Sequence, residues 1–163
     1  MALTLVSTVT VGSGGAASIE WSGIAGTGKD LLILVSGRNS AGDQIALTLN
    51  SDTTNANYSR RLLTGYNGGV TSTSASARPT IRIVDNTQTA STFSNNLIYI
   101  PNYTSSVAKS ISIDNVDEGN NAFVNTEIAA ASWSGTSAIT TVTLAILGGT
   151  IVQHSTASLY IIS

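Results

Sequence analysis

An all-β fold is predicted by three observations. Apolar residues recur with a period of two along most of the chain. Gly-, Ser-, Asn- and Asp-rich turns separate the short runs. No stretch of a dozen residues carries a convincing 3.6-residue stripe. In "QIALTLN", Ile45, Leu47 and Leu49 point one way while Ala46 and Thr48 point the other, because successive strand side chains alternate between faces.

The elements follow in order. "MALTLVSTVTVGSGG" opens the chain; it lacks a basic leader and intersperses apolar residues with Ser and Thr, so it reads as a first strand beginning at Leu3 rather than a signal peptide. "DLLILVSG" and "NNLIYIPN" are apolar on both faces, as expected of strands sandwiched in a core or against a neighbour. "TIRIVD" (Ile81, Ile83), "KSISID" (Ile111, Ile113) and "ITTVTLAIL" (Val142, Leu144, Ile146) alternate. The best helix candidate, "NTEIAAASWSG", has too many Ser and too weak a stripe, and Ile128, Ala130 and Ser132 alternate equally well. "GSGG", "GTGKD", "SAGD", "YNGG", "DEGNN", "SGTS" and "LGG" supply the turns. The polar stretches 51–57 and 67–77 read as surface loops. The sum is about ten short antiparallel strands in one domain spanning 1–163, a β-sandwich of jelly-roll type. A chain of 163 residues can bury a core of its own, and it contains no cysteine, so it folds without disulfides or a thiolate metal site.

Charge is the compositional anomaly. Asp, Glu, Lys and Arg make up 10% of the residues, with a formal net charge of −2, where an ordinary soluble domain carries about 25%. Soluble particles disperse themselves with charge, so this scarcity predicts a surface covered by partners in the working state. It also argues against nucleic acid, whose phosphates need clustered Lys and Arg. No apolar run is long enough to span a bilayer as a helix.

Motifs that suggest chemistry have simpler readings. "GIAGTGKD" places Gly23, Gly28 and Lys29 almost as in a phosphate-binding loop. Asp30, however, stands where a Ser or Thr would reach magnesium, and strand formers follow where a helix is required; a turn between strands is expected. His154, the single histidine, lacks a nucleophile elbow. Asp114, Asp117 and Glu118 could hold calcium weakly, but their spacing matches no EF-hand and a solvated turn is expected. No catalytic, cofactor-binding or metal-binding residue is therefore assigned. Arg60 and Arg61 beside Tyr58 fit either an interface or a charge-guarded edge strand. Trp21 and Trp133 are expected in the core with their indole N–H groups bonded near strand ends. The two Asn-X-Ser/Thr sequons, at Asn57 and Asn102, read as coincidences of composition.

The C-terminal stretch "SWSGTSAITTVTLAILGGTIVQHSTASLYIIS" resembles a pattern found in tailed-bacteriophage virion proteins. Trp133, Ile139, Thr140, Leu144, Gly148, Gly149, Ser155, Ser158, Leu159 and Tyr160 fall on it. "LILVSGRNSAGDQIALTLNSDTTNANYSRRLL" and "LIYIPNYTSSVAKSISID" are similar to its earlier sections. His154 and Ile161 depart from it, each standing where the pattern has glycine. The resemblance implies a jelly-roll-like, non-enzymatic structural domain of a phage particle, commonly a homotrimer: a capsid decoration (cement) protein, a head fibre or a tail component. Strand patterning from Leu3 leaves no stalk, which favours a decoration protein on the capsid exterior, in contact with the major capsid protein. The alternative is a carbohydrate- or receptor-binding domain of a tail fibre or tail tip, using Tyr58, Tyr66 and Tyr103.

Overall fold

The computed structural model describes residues 2–42, 44–66, 68–118 and 124–163, with backbone only at 118 and 124. Among them are twelve strands: β1 (Leu3–Thr10), β2 (Ser18–Trp21), β3 (Asp30–Ser36), β4 (Gln44–Leu49), β5 (Tyr58–Tyr66), β6 (Gly69–Ala75), β7 (Thr80–Arg82), β8 (Asn95–Ile100), β9 (Lys109–Glu118), β10 (Val124–Trp133), β11 (Val142–Ile146) and β12 (Thr156–Ile162). One 3₁₀ turn, Asn55–Asn57, precedes β5.

The strands form two antiparallel sheets, one ordered β1-β12-β3-β8-β9-β10-β5-β6 and the other β2-β11-β4-β7. Pairing is nested: β1 with β12, β3 with β8, β2 with β11 and β4 with β7. Successive nested pairs fall in alternate sheets, so a long antiparallel ribbon wraps around a single core. That is the jelly roll.

Two hairpins are inserted into this ribbon. β5–β6 lies between β4 and β7 in sequence, and β9–β10 lies between β8 and β11. Both join the same side of the larger sheet, widening it from four strands to eight. The smaller sheet keeps four strands and cannot cover the added ones.

The core lies between the sheets. Leu31, Ile33 and Val35 of β3, with Ile98 and Ile100 of β8, meet Leu47 and Leu49 of β4 and Val142 and Leu144 of β11, all buried. The period of two that marks these strands in the sequence is therefore the alternation between this interior and the outside. Trp133 stacks on Tyr58 with ring centroids 6.4 Å apart, closing one end of the core.

Three expectations need correction. Within the stretch 67–77 expected as a loop, Gly69–Ala75 is a strand, β6, paired along its length with β5. Its Val-Thr-Ser-Thr-Ser run shows no apolar alternation because an overhanging edge strand buries neither face. β5 has a neighbour on each side, so its arginines do not guard an edge. The indole of Trp133 is bonded, but that of Trp21, also buried, finds no partner among the described residues.

Candidate functional site

Register makes a polar cleft out of sequence segments that look unremarkable singly. On β9 the inward residues run Ile111, Ile113, Asn115, Asp117; on β10 they run Trp133, Ala131, Ala129, Glu127, Asn125. Antiparallel pairing sets Asn115 opposite Glu127 and Asp117 opposite Asn125, so both strands turn from apolar to polar at the same end. The row continues sideways to Asn96 on β8 and to Thr64 on β5, which faces Thr71 on β6. Asn96, Asn115, Asp117, Asn125 and Glu127 are all buried.

Buried polar groups need partners, and this row supplies most of them, although Asn115 Oδ1 finds none among the described residues. Asn96 Nδ2 donates to Ser94 Oγ (2.8 Å), and Asn115 Nδ2 donates to Asn96 Oδ1 and to the carbonyl of Arg82 (2.6 Å). Arg82 Nε lies 3.0 Å from Glu127 Oε1, which also accepts from Thr64 Oγ1 at 3.2 Å. Gln88 Nε2 donates to Asp117 Oδ2 (3.3 Å).

Beyond Glu127 the row opens into a cleft of about 810 Å³, within the size range of small-molecule sites. Its floor is the inner face of β10, β5 and β6. Its wall is β7 with the segment 84–88. Arg38 anchors the end of that segment by donating to the carbonyl of Gln88 (3.1 Å), and it ties down the turn that follows through the carbonyls of Thr89 (2.8 Å) and Thr92 (3.2 Å). Arg60 points inward to the cleft and donates to Thr80 Oγ1, and Tyr66 stands half-exposed at the rim.

The opposite face of the larger sheet is different in kind. Leu5, Tyr160, Leu32 and Tyr99 stand in one row across β1, β12, β3 and β8; Leu34, Leu97, Asp114, Ile128 and Leu63 stand in the next. Leu34, Leu97, Ile128 and Leu63 are 39, 39, 59 and 47% exposed. Among the described side chains its charges are Asp30, Arg61 and Asp114 alone.

The other sequence candidates do not assemble into chemistry. The phosphate-loop lookalike is the turn from β2 to β3, with Gly23 at φ +64° and strand, not helix, after Lys29. A Cβ on Gly28 would lie 2.1 Å from Ile161 Cγ2 and 2.8 Å from the carbonyl oxygen of Ile162, so close passage of β12 demands glycine there. Asp30 accepts from Tyr99 Oη (2.7 Å) and the backbone N–H of Asn102 (2.9 Å), pinning the turn after β8 and holding the Tyr99 phenol above its ordinary pKa. His154 is exposed on the turn before β12. The solvated turn expected at Asp114 and Asp117 is not found: both lie on β9, Asp114 facing outward and Asp117 buried, while the side chain of Glu118 lies outside the described residues. Among the described residues no three His, Asp or Glu converge to hold a metal. Tyr58 and Tyr103 are buried at 2 and 0% exposure, so of the three tyrosines only Tyr66 can offer a ring to a ligand. Arg60 and Arg61 part company, one in the cleft and one on the outer face.

Fold and site together define a jelly roll whose main sheet overhangs its partner, with a polar cleft beneath and an apolar face behind. No family model matches the chain, and neither any curated protein nor any solved structure matches it.

Proposed function

We propose that this chain is a non-enzymatic structural subunit of a tailed-phage virion. In this reading it is an oligomeric capsid decoration protein, most simply a trimer, bound to the major capsid protein on the outside of the head. The observation that carries the reading is the bare outer face of the eight-stranded sheet. Eight strands about 4.8 Å apart, each showing about 20 Å of length, present on the order of 700 Å². Largest apolar patches on monomers run to about 300–600 Å², and a stable interface takes about 800 Å² from each partner. The face is thus of interface size; aliphatic and tyrosine side chains run across its two central rows, hydroxyl residues such as Ser59, Ser112 and Ser132 stand among them, and charges are few.

Its isolated charges are complementary between copies. Arg61 on β5 and Asp114 on β9 flank β10, so a neighbouring copy can bring its own arginine onto this aspartate. Repeated by symmetry, such contacts add binding energy across a shell without any one contact being tight. The sparse charge of the whole chain and the C-terminal resemblance to phage virion proteins point the same way.

The test is sedimentation of the intact chain beside Ile128→Lys and Leu34→Asp, with immunolabelling of phage particles. Self-association that both substitutions abolish, with an unchanged β-type circular dichroism spectrum, is expected, as is label on the capsid. A monomeric wild type that decorates no particle defeats the proposal.

A further inference from the structure

We propose that the cleft beneath the β5–β6 hairpin is a binding site for a neutral saccharide. This does not rest on the assembly reading, because the cleft lies on the inner face of the sheet and the proposed interface on the outer.

The lining decides the ligand class. Its charges are balanced internally: Arg82 is spent on Glu127, and Arg60 stands in the same cleft as Asp85. A phosphate or sulfate would meet carboxylates, and a cation would meet guanidinium groups. Polarity open to a ligand remains in groups that both give and take hydrogen bonds. Thr71 and Thr73 face the cleft from β6, and their hydroxyls have no partner within the chain among the described residues. Gln88 also lines the cleft, its Nε2 bonded to Asp117.

A ligand made of hydroxyl groups matches this mixture, since each hydroxyl donates once and accepts twice. The half-exposed ring of Tyr66 at the rim offers an apolar face of the kind that covers the C–H side of a pyranose. The site is also built rather than incidental. Its floor is a paired sheet, and its wall is anchored at Gln88 by a carbonyl bond to Arg38, which also holds the turn that follows. Fixed geometry of this sort lowers the ordering cost of binding.

The test uses the full chain on an array of defined neutral oligosaccharides (glucose, galactose, mannose, rhamnose and N-acetylglucosamine chains) and of sialylated and sulfated ones. Any neutral chain retained is then titrated by NMR. Binding of at least one neutral oligosaccharide is expected, with the side-chain amide signals of Gln44, Gln88 and Asn125 moving. The double variant Thr71→Val/Thr73→Val removes two hydroxyls from an exposed strand without changing shape, and it should weaken binding about tenfold or more. Ile128→Lys, on the other face, should bind as wild type even if it no longer assembles. Retention of acidic chains alone, retention of none, or affinity unchanged in the threonine variant overturns the proposal.

Discussion

The indole N–H of Trp133 donates to Asp52 Oδ2 across 2.8 Å, tying the end of β10 to the loop that follows β4. The same oxygen accepts from Asn57 Nδ2 (2.8 Å), and Oδ1 accepts from the backbone N–H of Thr54 (3.0 Å). Tyr58, stacked on Trp133, donates its hydroxyl to the Asp52 carbonyl and accepts the N–H of Leu49, each at 3.0 Å. One carboxylate thus organises the whole loop 51–57, which is a closure for the core rather than a free contact loop.

Acid should expose that dependence. The donors, Trp133 first and then Asn57 and Thr54, hold the Asp52 carboxyl down to about 2, below its ordinary 3.8. A depressed acid stabilises the fold above its unfolded pKa and loses that contribution as pH falls from about 4 towards 2. Asp52→Asn should therefore be less stable than wild type by about 1–2 kcal/mol at pH 7. The gap should narrow steadily below pH 4. Urea unfolding at pH 7, 4 and 2 reads it; a gap independent of pH would mean that the charge of Asp52 contributes nothing.

Gly28 separates a structural glycine from a phosphate-binding one. Gly28→Ala should cost about 1–3 kcal/mol, because the new methyl group must displace Ile161 or the backbone at Ile162. Gly23→Ala meets no atom but sits at φ +64°, and should cost about 1 kcal/mol from backbone strain alone. Thermal unfolding ranks the two. Titration of the wild type with ATP and magnesium should remain flat, and micromolar affinity would return the loop to the nucleotide binders.

Much of this fold is legible in the sequence because the jelly roll's interior imposes a period of two on Ile45-Leu47-Leu49, Ile111-Ile113 and Val142-Leu144. β6 is not legible: its side chains face solvent on one side and the cleft on the other, so no apolar signal marks it. The cleft is hidden for a related reason. Asn115 and Asp117 keep the inward parity of Ile111 and Ile113, and Asn125 and Glu127 keep that of Ala129 and Trp133. That parity is readable, and it could have flagged the four residues. Their convergence is not readable, because it depends on which strand lies beside which. The same holds for Gln88 and Arg38, which meet the site through a loop. Sparse charge does signal the apolar outer face, and the two-sided apolar runs of β3 and β8 locate its centre.

His154 tests the turn before β12. It adopts φ +73° and its N–H donates to the Val11 carbonyl at 3.0 Å. This is the left-handed region, which glycine enters freely, His tolerates and β-branched residues resist. His154→Gly should hold or raise the melting temperature, whereas His154→Val should lower it by about 2–4 °C for each kcal/mol of strain. Equal melting temperatures for the two variants would show that the turn relaxes out of its left-handed conformation.

The Arg82–Glu127 pair provides the last prediction. The Glu127 side chain is 7% exposed and that of Arg82 28%, so the carboxylate is the more costly partner to strand. Removing one member of a buried pair leaves an uncompensated charge, while removing both leaves none. Arg82→Met should therefore destabilise the protein by about 3 kcal/mol, and Arg82→Met/Glu127→Gln should recover part of that loss. A double-mutant cycle closed with Glu127→Gln should give a coupling of about 1–3 kcal/mol. Guanidinium unfolding of the four proteins supplies the cycle. Zero coupling would show that water, not Arg82, neutralises Glu127, and the cleft's balance of charge would then lie elsewhere.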